Sequence, residues 1–238
     1  MIFNGEEYTI QFWQGESLGN ILAIDTETTI KPFTETPDLV TFQVFDGESL
    51  YYVDRSLVKD FFKKNSFCLF VFANAPFDID VIEKHTGESL KEQIENDRIF
   101  DINIMYRLWT LATVGNVPRR YSLAHITKEL LGEDLDKNED IRCNFAEYKD
   151  TSLQEIPKAF LEYGAADVIA TFYCFIRLRL EVSKLNTSTN LSHHIQLLGA
   201  LALNRMYKNG IGFDEERASI LLKELNSKLE VLHAKMSA

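Results

Sequence analysis

Four acidic residues lie in three short segments whose chemistry suits a single metal site: Asp25 and Glu27 in ILAIDTETT, Asp78 in VFANAPFDIDVI, and Asp167 in YGAADVIATFY. In an extended strand, side chains two residues apart point to one face, so Asp25 and Glu27 project together from one rigid edge. In a helix, residues four apart share a face, which sets the phenol of Tyr163 beside the carboxylate of Asp167. Brought together, four carboxylates repel one another unless cations neutralise them, so the set itself calls for divalent metal. Oxygen-only ligands select Mg2+ or Mn2+ over Zn2+. A pair of such ions is suited to in-line displacement at phosphorus.

Each residue also has a plainer reading. A D-x-E triplet is common at solvated strand ends, Asp78 fits the acid-favouring first turn of a helix, and Tyr163 fits a core aromatic with its hydroxyl toward water. Asp167 resists this treatment, because it lies among Ala165, Ala166, Val168, Ile169 and Ala170, where a lone charge is costly. The case for chemistry rests on the four taken together.

The elements that must position them follow from the apolar pattern. Ile21–Ile24 reads as a buried strand whose end emerges at Asp25. Leu39–Phe45 and Ser49–Val53 flank Asp46-Gly47, a dipeptide suited to a tight hairpin, so the two runs pair antiparallel. A helix fits Ser56–Lys64, with Leu57, Val58, Phe61 and Phe62 inward. Phe67–Phe72 is the best central strand; Asn74-Ala75-Pro76 ends it and opens a helix toward His85. Helices then fit Ile102–Leu111, capped by Asp101, Ser122–Leu131, Leu153–Tyr163 and a long segment to about Lys184. Gly132–Asp150 is polar and reads as a solvated loop. Asn186–Asn190 reads as a linker. Ile195–Tyr207 and Glu215–Met236 read as two amphipathic helices forming a separate tail. His193-His194 reads as a helix start, without a third ligand at metal spacing. Exposed Arg119-Arg120-Tyr121 reads as solvated.

Composition narrows the classes. With 238 residues, 45% of them hydrophobic, the chain can bury a full core. Three scattered cysteines, Cys68, Cys143 and Cys174, form neither a disulfide framework nor a thiolate metal site, which fits a reducing cytoplasm, or a host cytoplasm for a viral chain. No basic leader precedes an apolar run, and no stretch approaches the roughly 20 apolar residues of a membrane span, so a soluble protein without membrane contact is expected. A net charge of -11 opposes non-specific binding to a polyanion. Metal at an acidic site would offset part of that charge, so a nucleic-acid substrate remains compatible.

DTET, N-A-P-F-D and Y-G-A-A-D, in that order, resemble the three motifs of the DEDD 3'-5' exonuclease superfamily in its tyrosine-bearing branch. They are most similar to those of the proofreading exonuclease domain of family A DNA polymerases. Phe100-Asp101-Ile102 and Ser122-Leu123-Ala124 resemble family landmarks between the second and third motifs, and the resemblance covers about residues 18–184. It implies an α/β, ribonuclease H-like fold: a mixed central sheet flanked by helices, followed here by a C-terminal helical extension. It also implies two divalent cations, Mg2+ or Mn2+. Asp25, Glu27 and Asp167 would hold the first, Asp25 would also reach the second, and Asp78 would act there through water. Tyr163 would hold the attacking water, and Glu27 would touch that water or the terminal 3' hydroxyl. Asn74 and Thr28 stand where the family contacts the substrate strand. Ala73 departs from relatives that carry His or Gln before the motif-two asparagine, which puts one substrate contact in doubt.

The implied reaction is hydrolysis of the terminal phosphodiester of single-stranded or frayed DNA 3' ends, releasing nucleoside 5'-monophosphates. The domain organisation implied is an exonuclease over 1–185 and, over 186–238, a linker and helical segment. Its stretch Leu197–Asp214, ending MYKNGIGFD, resembles the segment that leads to the family A polymerase thumb. No polymerase motifs follow, so no synthesis is expected from this chain; the polymerase region would lie on the same longer chain or on a separate one. Two other functions fit the same residues less well: an RNA exonuclease of the ribonuclease D type, and a non-catalytic docking or clamp module that kept the fold.

Overall fold

The structure, a computed structural model, describes all residues except 4, 33, 136–137, 186–188 and 237–238, and side chains except those of 189–191 as well. In chain order the strands and helices are β1 (Ile2–Phe3), β2 (Glu6–Glu7), β3 (Ile10–Phe12), β4 (Ile21–Thr28), β5 (Leu39–Phe45), β6 (Leu50–Tyr52), α1 (Val58–Lys64), β7 (Leu69–Phe72), α2 (Ala75–Thr86), α3 (Lys91–Glu95), β8 (Ile99–Asp101), α4 (Ile102–Val114), α5 (Leu123–Leu131), α6 (Glu139–Asn144), α7 (Lys158–Ser183), α8 (Thr189–Asn209) and α9 (Glu215–Met236). Six strands form one mixed sheet in the order β3-β6-β5-β4-β7-β8. β4 runs antiparallel to β5 and parallel to β7, and β7 runs parallel to β8. β4 reaches β7 by way of α1, and β7 reaches β8 by way of α2 and α3, while the edge strand β3 pairs parallel with β6, with β4 and β5 between them in sequence. The β5–β6 hairpin turns at Gly47, whose φ of 100° suits glycine and whose missing side chain leaves room for the Phe172 ring.

Period-two alternation divides the core. Leu22 and Ile24 of β4, Phe42 and Val44 of β5, and Phe70 and Phe72 of β7 pack with Phe61, Ile79 and Ile82 on the α1/α2 side. Ala23, Phe45 and Val71 face the other way, against Met105, Ile126, Val168, Ile169 and Phe175 of α4, α5 and α7. Asp25 and Glu27 continue the Ala23 row and therefore point toward α7, whereas Thr26 continues the Ile24 row and points toward α2.

The structure departs from the sequence expectations in several places. The central strand begins at Leu69; Phe67 is 85% exposed, because Asn65 ends α1 in a turn closed by Cys68 N–H on its carbonyl. The polar stretch from Gly132 to Asp150 is not all loop. Asn138 caps α6 through its side-chain oxygen, and Phe145 is buried against Val40 and Tyr163. Leu153–Glu155 is a short 3-10 turn, and α7 starts only after Pro157. α7 meets the length and hydropathy of a membrane span, against expectation, but its apolar residues form the middle of the core. His193-His194 stands within α8, not at its start. Of the expected linker, residues 186–188 lie outside the described residues, and Thr189 and Asn190 already belong to α8. The tail is not wholly separate: Leu197 and Leu201 of α8 are buried in the α1/α2-side core, while α9 buries no residue.

Candidate active site

The end of β4 and the N-terminal half of α7 meet at one cleft of about 500 Å³, lined by Asp25, Glu27, Tyr163 and Asp167 together with Phe77, Ser122, Leu123, Arg142 and Cys143. Strand register explains the first pair. Asp25 stands opposite Gln43 and Glu27 opposite Thr41 on the antiparallel β5, all on the α7 side of the sheet. Gln43 is fully buried and donates from Nε2 to Asp25 Oδ2 at 2.7 Å, while the Thr41 hydroxyl donates to Gln43 Oε1 at 3.1 Å. The amide is thus held from behind with its N–H aimed at Asp25. The close approach of α7 depends on Gly164: a methyl group there would lie 2.6 Å from Gln43 Nε2 and 3.0 Å from the Tyr52 hydroxyl.

Two phenols report the field of the acids. Tyr52 is buried and donates to the Leu161 carbonyl at 2.5 Å. Burial first, and then the charges of Glu27, Asp25 and Asp167, push its ionisation well above the usual phenol range. Tyr163 is also shifted upward, by burial and then by Asp167, Glu27 and Asp25, with Arg142 opposing. The three carboxylates that line the cleft act together on both phenols, and the phenols stay protonated. The Tyr163 ring is braced by Phe145, 6.1 Å between centroids, which is how the polar 138–148 segment helps to fix the site.

Asp78 occupies a different environment. It does not line the cleft; it is buried on the α2 side of β4, accepting the Thr26 hydroxyl at 2.7 Å. Burial raises its pKa to about 7, against the hydrogen bond from Thr26 and with the help of Asp101. Asp101, the expected cap of α4, accepts backbone N–H groups from Asn103 and Ile104, and also from Asn74 and Ala75. It thereby ties the start of α4 to the start of α2. Asn74 is in the left-handed region, φ 80°, which asparagine tolerates better than most residues. Asn74 and Thr28 line a groove that adjoins the cleft.

Among the described residues, no group of three or more His, Cys, Asp or Glu side chains stands in an arrangement that could already hold a metal ion. The donor set fits a hard cation nonetheless. It offers only carboxylate oxygens, three of them share one cleft, and their mutual repulsion opposes closer approach until positive charge arrives. Sequence reasoning missed Thr41, Gln43, Arg142 and Cys143. A lone glutamine inside the apolar run TFQVF was the one available signal for the second of these.

The sequence matches the profile described as 3'-5' exonuclease over residues 6–183. The chain belongs to this family of the DEDD superfamily. No curated protein matches this exonuclease in sequence. Among solved structures it is similar to Brucella melitensis NrnC, with a TM-score of 0.59 and 21% identity, covering 86% of this chain and 97% of that one. It is similar to Escherichia coli RNase D, described as an exoribonuclease involved in structured RNA processing, with a TM-score of 0.55 and 23% identity over 82% of this chain and 46% of that one. It is also similar to the Aedes aegypti Nibbler EXO domain, with a TM-score of 0.55 and 16% identity over 77% and 86% of the two chains. At such identities the likeness is one of fold, and the fold is the ribonuclease H-like one expected. DEDD exonucleases normally use divalent metal ions.

Proposed function

We propose that this exonuclease hydrolyses the terminal phosphodiester of single-stranded or frayed DNA 3' ends, releasing nucleoside 5'-monophosphates in the manner of proofreading. The observation that carries the reading is the convergence of Asp25, Glu27, Asp167 and Tyr163 on one cleft. Asp25, Glu27 and Asp167 would hold two Mg2+ or Mn2+ ions, with Asp78 contributing from behind Thr26. When bound, such a pair supplies Lewis acidity, activating water and offsetting charge on the phosphate and leaving oxygen. Gln43 fixes one Asp25 oxygen from within the sheet. The protonated phenol of Tyr163 orients the attacking water by a hydrogen bond. Asn74 and Thr28 contact the strand.

The sequence motifs favour DNA and a polymerase region, on the same longer chain or on a separate one, as the partner. The three cysteines are free, which supports a reducing, cytoplasmic setting. One observation favours RNA instead: solved structures of similar fold include E. coli RNase D and a Trypanosoma brucei RNase D in complex with RNA. Digestion of 5'-labelled DNA and RNA strands of one sequence, with Mg2+ or Mn2+, beside an EDTA control and Asp25→Ala, tests both. A DNA ladder shortening from the 3' end and lost in both controls is expected. Preferential cleavage of RNA transfers the function to the RNase D type, and cleavage of neither leaves a binding module.

A further inference from the structure

We propose that α8 forms the outer wall of a groove that carries the substrate strand away from the acidic cleft, with Tyr207 as a stacking platform for a base upstream of the scissile bond. The inference rests on the exonuclease reading above and adds a binding site to it.

The groove, about 390 Å³, shares Thr28, Thr29, Ile30 and Phe77 with the acidic cleft, so the two adjoin along a common wall. Its apolar rim is exposed: Ile30 69%, Phe77 40% and Tyr207 58%. Exposed apolar groups gathered along one groove mark a binding surface. The wall shared with the cleft points to the strand whose 3' end would lie among the carboxylates as the occupant.

α8 is held there for a purpose that its core contacts do not require. Leu197 and Leu201 already dock the helix. One and two turns further on, Asn204 donates to the Pro76 carbonyl at 3.2 Å and to Asp80, and Lys208 donates to Asp80 and to the Thr36 hydroxyl at 2.6 Å. These contacts pin the end of α8 to the start of α2 and to the 28–38 loop. They also neutralise Asp80, an acid that would otherwise repel a phosphate inside the groove. Tyr207, between the two anchors in sequence, is left exposed on the wall. Aromatic rings stack with any base, which gives grip without sequence preference, as degradation from an arbitrary end demands.

The test is a length series on the full chain, with 5'-labelled strands from two to about ten nucleotides, DNA or RNA according to which the wild type digests. KM of the wild type should fall as the strand lengthens into the groove. Tyr207→Ala should raise KM for the longer strands about 5- to 10-fold, with a penalty that shrinks as the strand shortens, and Tyr207→Phe should restore most of the affinity. A penalty equal at every length, or no penalty while digestion proceeds, overturns the groove and leaves the exonuclease standing. Absence of digestion by the wild type under all conditions removes both.

Discussion

The two sides of β4 use acid in opposite ways. On the α7 side, Asp25 and Glu27 open into a cleft and share it with Asp167; on the α2 side, Asp78, 52 residues beyond Thr26 in sequence, is sealed behind it with its pKa raised to about 7. One strand serves both because its side chains alternate. The comparison teaches that motif membership does not fix a residue's electrostatic state: three acids stand where cations can reach them, and the fourth is poised near neutrality inside the fold.

The sharpest way to break the comparison is to remove one acid from each side. Asp167→Ala should lower kcat by about 10³-fold or more while the protein stays folded, since it deletes a charge that the proposed metal site needs. Asp78→Asn keeps the volume and the hydrogen bond from Thr26, so besides the loss of rate that its proposed place in the metal site implies it should carry a signature in stability. The folded pKa lies above the ordinary value, so between about pH 4 and 7 folded Asp78 holds a proton that the unfolded chain releases. Its contribution is therefore full at low pH and is lost as pH rises through the folded pKa. Melting in EDTA from pH 5 to 8 should show the wild type losing stability, by an amount on the order of a few kcal/mol, and Asp78→Asn losing much less. Parallel curves would mean that another group carries the slope.

A smaller intervention acts behind Asp25. Gly164→Ala places a methyl 2.6 Å from Gln43 Nε2, so the amide must move off Asp25 or α7 must shift. Activity should fall about 10- to 100-fold, the usual range for disturbing a group that orients a metal ligand, with a stability loss of about 1–3 kcal/mol. Gln43→Met removes the N–H with little change of volume and should reproduce the activity loss without the instability. If it instead matched the wild type in Mn2+ affinity and rate, Gln43 would be only a packing residue.

Much of this site was readable in sequence because its positions depend on local periodicity. Asp25 and Glu27 follow an apolar strand at spacing two, and Tyr163 and Asp167 lie four apart in a segment that can only be helix. Gln43 stands out in TFQVF as a lone polar residue, but its role was not readable: it depends on the register of β5 against β4, fixed by contacts across the sheet, and nothing within TFQVF announces an acid opposite. Arg142 and Cys143 were hidden for a related reason. Their segment is largely polar, and the buried residue that folds it back, Phe145, helped by Ile141 and Tyr148, finds its partners Val40 and Tyr163 elsewhere in the chain. The burial of α8 shows the same limit. Leu197 and Leu201 announce an apolar helix face, but the surface that receives it is made elsewhere in the chain.

The smallest expected effect separates the roles of the two α7 residues. Tyr163→Phe keeps the ring and its packing against Phe145, so the melting temperature should stay within about a degree. The loss in the reaction is the hydroxyl's hydrogen bond to the proposed attacking water, on the order of 1–2 kcal/mol, or about tenfold in kcat. Because burial and the neighbouring carboxylates hold the Tyr163 proton on, the hydroxyl acts as a neutral group across the working range, and the pH–rate profile of the variant should keep the wild-type shape at lower height. A profile that instead lost a limb would show that the phenol titrates during turnover; a loss as large as that of Asp167→Ala would show that Tyr163 does more than orient water.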